Sequence, residues 1–254
     1  MMRIDLNSDL GESFGPWAMG DDPAMLDIVT SANVAAGGHA SDPETMFRTL
    51  GLAAARGVVV GAHPGYPDRE GFGRRVIPMP PAEIGRMVAA QVGALSALAQ
   101  MAGTAVRYVK PHGALGNLAA ADAEVARAIA AAVGQLSPRL ALLAISGTSL
   151  EHAARAAGIE VFSEIFADRA YLADGQLVPR SRPGAVLHDP DAIADRLVRF
   201  LESREMPVLD GGTVRLDAHS ICVHGDTPGA VAIARAVRDR LTGAGVTLAP
   251  FLSA

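Results

Sequence analysis

The 254-residue chain predicts an α/β fold in which parallel strands close into a (β/α) barrel, and three observations carry that expectation. Short apolar runs alternate with longer alanine-rich stretches, strand then helix, about seven times at intervals of roughly 30 residues, the pattern of right-handed βα units. Half of the residues are hydrophobic and only 4% are aromatic, so Ala, Val, Leu and Ile must build the core, as they do where helices cover a parallel sheet. The length suits one undivided barrel over residues 1–254, and no stretch reads as an interdomain linker. A doubly wound open sheet is the second choice.

The strands are expected at Arg3–Leu6, Ala32–Ala36, Val58–Ala62, Val106–Val109, Leu140–Ile145, Glu160–Glu164 and Ser220–Val223, each short, mostly apolar and followed by turn residues. The pairs Asp22-Pro23, Asp42-Pro43, Asp189-Pro190 and Thr227-Pro228 each place a capping residue before a proline at the first helical position. Gly57, Gly103, Gly158 and Gly243 stand where helix C-terminal caps are needed. Two segments are too long for ordinary βα loops: Pro64–Pro81, and Tyr171–Asp189 with its hairpin-type turn Ala173-Asp174-Gly175-Gln176. Loops of that length tend to be lids or binding loops.

Composition narrows the function. A net charge of −5 and the lack of any Lys/Arg run argue against a nucleic-acid partner. No apolar run approaches a membrane span, and the charged start Met1-Met2-Arg3-Ile4-Asp5 is unlike a signal peptide, so a cytoplasmic protein is expected. Cys222 is the single cysteine, which excludes a disulfide framework, and its apolar neighbours read as a buried strand. Neither a P-loop, a G-x-G-x-x-G helix start nor a G-x-S-x-G elbow is present.

In a parallel barrel the chemistry lies at the C-terminal ends of the strands. With period-two alternation Asp5, Asn7 and Asp9 share the inner face of the first strand, a costly arrangement unless they are bonded or in use. The following strand ends supply His39, His63, Lys110 with His112, the group Glu164, Asp168 and Arg169, and His224 with Asp226. Lys110 is the only lysine among 22 basic side chains, which points to a task for a compact ammonium that a guanidinium does not perform. Each member also has a plainer reading: Asp226 as a helix cap, Glu164 and Asp168 as counter-ions of Arg169, and a strand-end histidine as a structural one. His152, His188 and His219 fall on a helix surface or at element entries, away from that end. Asp9, His39 and His63 form an alternative divalent-metal set, since imidazole with carboxylate suits zinc and similar ions.

Several long stretches, in order, resemble the LamB/YcsF family. They are Ile4-Asp5-Leu6-Asn7-Ser8-Asp9-Leu10-Gly11-Glu12, Ser31-Ala32-Asn33-Val34-Ala35, Gly61-Ala62-His63-Pro64-Gly65-Tyr66-Pro67-Asp68, Gly71-Phe72-Gly73-Arg74-Arg75, Lys110-Pro111-His112-Gly113-Ala114-Leu115, Glu164-Ile165-Phe166-Ala167-Asp168-Arg169 and Val223-His224-Gly225-Asp226-Thr227-Pro228. The resemblance implies a distorted barrel of about seven parallel strands, similar to polysaccharide deacetylase (NodB-like) barrels. It also implies the A subunit of an ATP-dependent 5-oxoprolinase, which opens 5-oxo-L-proline to L-glutamate in a complex with KipI-like and KipA-like subunits. ATP then enters through the complex; the rival readings are a stand-alone metal-dependent deacetylase or amidohydrolase, suggested by the His/Asp set, and a non-catalytic lactam-binding subunit. On this reading Lys110 is an oxyanion-side cation, Asp9 or Glu164 with Asp168 takes a proton from water, and His112 or His63 donates one. Arg169 or Arg74 binds the substrate carboxylate, and Asp5, Asn7, His39, His224 and Asp226 complete the substrate site. The chain departs from the family pattern at Ala36 and Gly38, where cysteine and phenylalanine are usual, and at Gly116, usually tyrosine. The lost side chains are expected to enlarge the pocket.

Overall fold

A computed structural model describes residues 2–136, 139–225 and 229–252. In chain order the strands are β1 (Arg3–Leu10), β2 (Ser31–Ala35), β3 (Val59–His63), β4 (Val106–Val109), β5 (Ala141–Ile145), β6 (Val161–Phe166), β7 (Glu205–Pro207), β8 (Thr213–Arg215), β9 (Ser220–Cys222) and β10 (Thr247–Leu248). The first six and β9 are parallel and form a closed barrel. Closure is made by β9, which pairs with β6 on one side and with β1 on the other, Asp5 opposite Ser220 and Asn7 opposite Cys222. The antiparallel β7–β8 hairpin and β10, a short addition to β1, were not anticipated from the sequence. Two or three residues are too few to show a hydrophobic period.

Strand alternation sorts the core into two parts. Leu6, Val34, Val60, Ala62, Val109, Leu142, Ile165 and Ile221 face outward into the main apolar cluster with the helices. Inside the barrel, Val59, Tyr108, Ala141 and Leu143 form a second cluster with Phe162 and Phe251. Phe251, beyond β10, packs its ring 5.0 Å from Tyr108 and 4.7 Å from Phe162. This apolar layer fills one end of the barrel and leaves the C-terminal strand ends for polar groups.

The helices are α1 (Asp22–Leu26), α2 (Pro43–Arg56), α3 (Pro81–Met101), α4 (Gly113–Ala121), α5 (Ala123–Gly134), α6 (Ser149–Ala156), α7 (Pro190–Ser203) and α8 (Ala230–Gly243). In α3 the buried residues Ile84, Val88, Val92, Leu95 and Ala99 recur at helical spacing, so one stripe faces the sheet. Each of its large members contributes about 1.5–3 kcal/mol by burial. Asp42 and Asp189 cap α2 and α7 as expected, each accepting from two backbone N–H groups.

At α1 the expectation fails by one residue. Asp21 caps the helix, while Asp22 turns inward and accepts from the Gly11 N–H and the Thr49 hydroxyl. Thr227 and Pro228 lie outside the described residues. Gly57 is the left-handed cap of α2, and Gly103 and Gly158 follow their helices at positive φ. Gly243 is still helical, and Gly245 makes the left-handed turn instead. No helix among the described residues is long and apolar enough to cross a membrane.

Candidate active site

The inner face of the barrel carries a ladder of buried polar side chains. At its lower rung Asp5 accepts from Thr30, Ser31 and Ser220. Above it the amide of Asn7 donates to Ser220 (2.6 Å), and its Oδ1 accepts from Asn33 (2.7 Å). Asn33 also donates to Asp9 Oδ1 (2.8 Å) and accepts from the Tyr108 hydroxyl (2.6 Å). Gly61 makes room for that tyrosine, since a Cβ there would fall 2.2 Å from its ring.

Lys110 stands at the top of the ladder, 3% exposed. Its Nζ lies 3.0 Å from Asp9 Oδ1, 3.0 Å from Glu164 Oε2, 3.1 Å from Cys222 Sγ and 3.3 Å from Asn7 Oδ1. Burial alone would favour the neutral amine, but the Asp9 and Glu164 carboxylates outweigh it and hold the ammonium charged well above the usual lysine range. This is a fixed point charge and not a lysine tuned to lose its proton. Burial likewise favours protonated Asp9, yet His63 and Lys110 keep that carboxyl well below its ordinary range. Glu164 goes the other way: burial raises it despite Lys110. Two carboxylates on one cation are thereby pushed apart in acidity.

Four further groups converge beside this network. His39, His63, His112 and Glu12 are all buried, and one donor atom from each lies within 4.8 Å of the others. The His39 and His112 rings stack at 3.5 Å, with His63 edge-on to both. Glu12 Oε1 is 3.0 Å from His39 Nε2 and 3.7 Å from His112 Nδ1. Such a set of nitrogen and carboxylate donors is able to hold a metal ion. It differs from the trio expected from the sequence, for His112 and Glu12 join His39 and His63. Asp9 sits at the edge, its Oδ2 3.3 Å from His63 Nε2 and its Oδ1 held by Lys110.

The 64–81 loop folds over these rings. Phe72, in the left-handed region at φ 54°, packs edge-on to His39 and His112, and its carbonyl lies 2.8 Å from His112 Nε2. On the opposite wall Asp168 engages His224 Nδ1 (2.8 Å), and the His224 ring stacks on Phe166. Burial works against the Asp168 charge, but His224 holds its carboxyl below the usual range. Glu164 and Asp168 therefore serve Lys110 and His224, not Arg169. Arg169 instead donates to the carbonyls of Val178 and Ala185, fastening the 171–189 loop, and burial lowers its pKa to about 10.

These walls enclose a cavity of about 790 Å³ that both long loops help to line. Asp9, Glu12, His63, Lys110, His112, Glu164, Arg169 and His224 reach it, as does Arg74 from the exposed rim. Asp5, Asn7 and His39 lie behind that lining, and Asp226 is outside the described residues. The expected enlargement holds no support at Gly38: a Cβ there would meet the Gly65 carbonyl at 2.4 Å and Gln91 at 2.6 Å, so the position is filled by neighbours. Gly116 does line the cavity, where a Cβ would press on the Pro111 carbonyl at 2.6 Å.

Relatives agree with this architecture. The chain is 53% identical over 251 residues to a 5-oxoprolinase A subunit (the third of that name) of Pseudomonas syringae pv. tomato, covering 99% of this chain and 98% of the relative. It is 55% identical over 251 residues to the 5-oxoprolinase A subunit of Nocardia farcinica, covering 99% and 100%. Among solved structures, the lactam utilization protein from Thermus thermophilus superposes with a TM-score of 0.92 at 46% identity, over 98% of this chain and 99% of that one. Residues 4–254 match the family profile, and the chain belongs to the LamB/YcsF family.

Proposed function

We propose that this chain is the A subunit of an ATP-dependent 5-oxoprolinase, working in the cytoplasm with KipI-like and KipA-like subunits. The observation that carries the reading is Lys110: one buried ammonium, held by Asp9 and Glu164 at 3.0 Å, at the floor of a cavity lined by further acid–base groups. The names of relatives that match end to end support the substrate. A five-membered lactam is a stable amide with a poor leaving group. Transfer of a phosphoryl group from ATP to its carbonyl oxygen makes the carbon electrophilic, and the partners supply the nucleotide.

Within this chain, Lys110 stabilises the negative charge that develops on the oxygen side. Glu164, its carboxyl raised by burial, takes the proton of the attacking water, while ionised Asp9 anchors the ammonium. His224, oriented by Asp168, delivers a proton to the ring nitrogen as the C–N bond breaks, and a second water hydrolyses the acyl phosphate so formed to glutamate and phosphate. Arg74 at the rim pairs with the substrate carboxylate.

The test is glutamate release from 5-oxo-L-proline by the chain coexpressed with both partners, with and without ATP. Release only by the complex and only with ATP is expected. Amide hydrolysis by the isolated chain without ATP would instead establish a stand-alone amidohydrolase. Full turnover in folded Asp9→Asn and Glu164→Gln complexes would reduce the chain to a lactam-binding role.

A further inference from the structure

We propose that Glu12, His63 and His112 bind one divalent transition-metal ion of the zinc class on the cavity wall, with His39 as a positioning residue that orients Glu12. The inference starts from hydrogen-bond logic. A carbonyl oxygen only accepts, so His63 Nδ1, 2.7 Å from the Lys110 carbonyl, carries a hydrogen. His112 Nε2, 2.8 Å from the Phe72 carbonyl, carries one too. His63 Nε2 and His112 Nδ1 then face each other at 3.0 Å, with Asp9 Oδ2 3.3 Å from the same His63 nitrogen. Nitrogens turned together in this way take one positive centre between them, a proton or a metal ion, and a metal ion there also reaches Glu12, whose Oε1 lies 3.7 Å from His112 Nδ1.

The spacing suits a metal. Zinc bonds of about 2.0–2.1 Å in a tetrahedron put neighbouring donors roughly 3.3 Å apart. The separations here, 3.0 Å between the two histidines and 3.7 Å from His112 to Glu12, bracket that value. Two nitrogens and one carboxylate oxygen favour zinc-like ions over magnesium or calcium. The carbonyl partner behind each imidazole is the outer-shell arrangement that fixes the ligating nitrogen. All three donors line the cavity, and His39 does not. His39 Nδ1 is buried with no hydrogen-bond partner while its Nε2 is 3.0 Å from Glu12, so Nε2 carries the hydrogen and donates to the carboxylate. The 64–81 loop clamps the rings: a Cβ on Gly73 would lie 2.6 Å from His39 Cβ and 2.8 Å from His112 Cδ2.

The inference leans on the 5-oxoprolinase reading only for what the ion would face, and its test uses no substrate, so either can fail alone. The full chain is expressed with added zinc, its metal content measured after dialysis, then stripped by a chelator and titrated with Zn²⁺ and with Co²⁺ as a spectroscopic probe. One equivalent of zinc, and a Co²⁺ visible spectrum of low-symmetry nitrogen/oxygen coordination, are expected. His63→Ala and His112→Ala should abolish both while far-UV circular dichroism is unchanged. His39→Leu should weaken Zn²⁺ about 10- to 100-fold, and His39→Gln, which keeps a donor, should restore much of it. A folded wild-type chain that takes up no stoichiometric Zn²⁺ or Co²⁺ overturns the proposal, as does full retention in the histidine variants. If those variants do not fold, the Co²⁺ spectrum of the wild-type chain decides.

Discussion

The two sides of the cavity floor follow opposite rules. Around Lys110 every charge is answered: two carboxylates, an amide oxygen and a sulfur surround one ammonium. A few ångströms away, two imidazole nitrogens face each other at 3.0 Å, and a third ring has an unpartnered nitrogen. A satisfied network fixes a charge in place. The histidine side instead turns its donor atoms toward one another, the arrangement on which the metal proposal rests.

Removing the ammonium breaks the satisfied side most severely. Lys110→Met leaves Asp9 and Glu164 buried without their cation and is expected to cost about 3–5 kcal/mol in denaturant unfolding. Asp168→Asn attacks the opposite wall without leaving a buried charge. It upsets the hydrogen bond that orients His224, so turnover of the assembled complex should fall about 10²- to 10⁴-fold with little change in melting temperature.

Asp5, beneath the network, gives a pH signature. Burial, opposed by the Ser220, Ser31 and Thr30 hydroxyls and helped by the Glu164 charge, raises its pKa from 3.8 to about 6. A carboxyl whose folded pKa is raised stabilises the fold while protonated, fully below about pH 4, and loses that contribution as pH rises through about 6. Asp5→Asn should therefore gain stability relative to the wild type between those limits, by up to about 3 kcal/mol. Parallel unfolding curves across pH 4–7 would remove Asp5 from the account. The smallest effect belongs to the rim: Arg74→Ala should raise KM for 5-oxoproline about 10- to 100-fold with kcat preserved.

The barrel and most of the network were legible because strand alternation is a strict rule. Asp5, Asn7 and Asp9 do share the inner face, and Lys110, Glu164 and His224 meet them at the expected end of the barrel. Glu12 was missed because Gly11, at φ 67°, turns the chain and breaks that parity. Asn33 and Tyr108 carry no charge to draw attention, and Cys222, read as a core residue and buried as such, also touches Lys110. Gly38 misled for another reason: a missing side chain looks like space until the neighbours that fill it are known.

The central claim is that a compact ammonium at position 110 is used in opening the lactam. The direct test is ATP-dependent glutamate release by the assembled complex carrying Lys110→Arg, a change that keeps the charge but spreads it over a planar fork too large for the pocket between Asp9, Glu164 and Cys222. A fall in kcat of about 10²- to 10³-fold or more, in a complex that still assembles and folds, is predicted. Wild-type turnover by that complex would contradict the account.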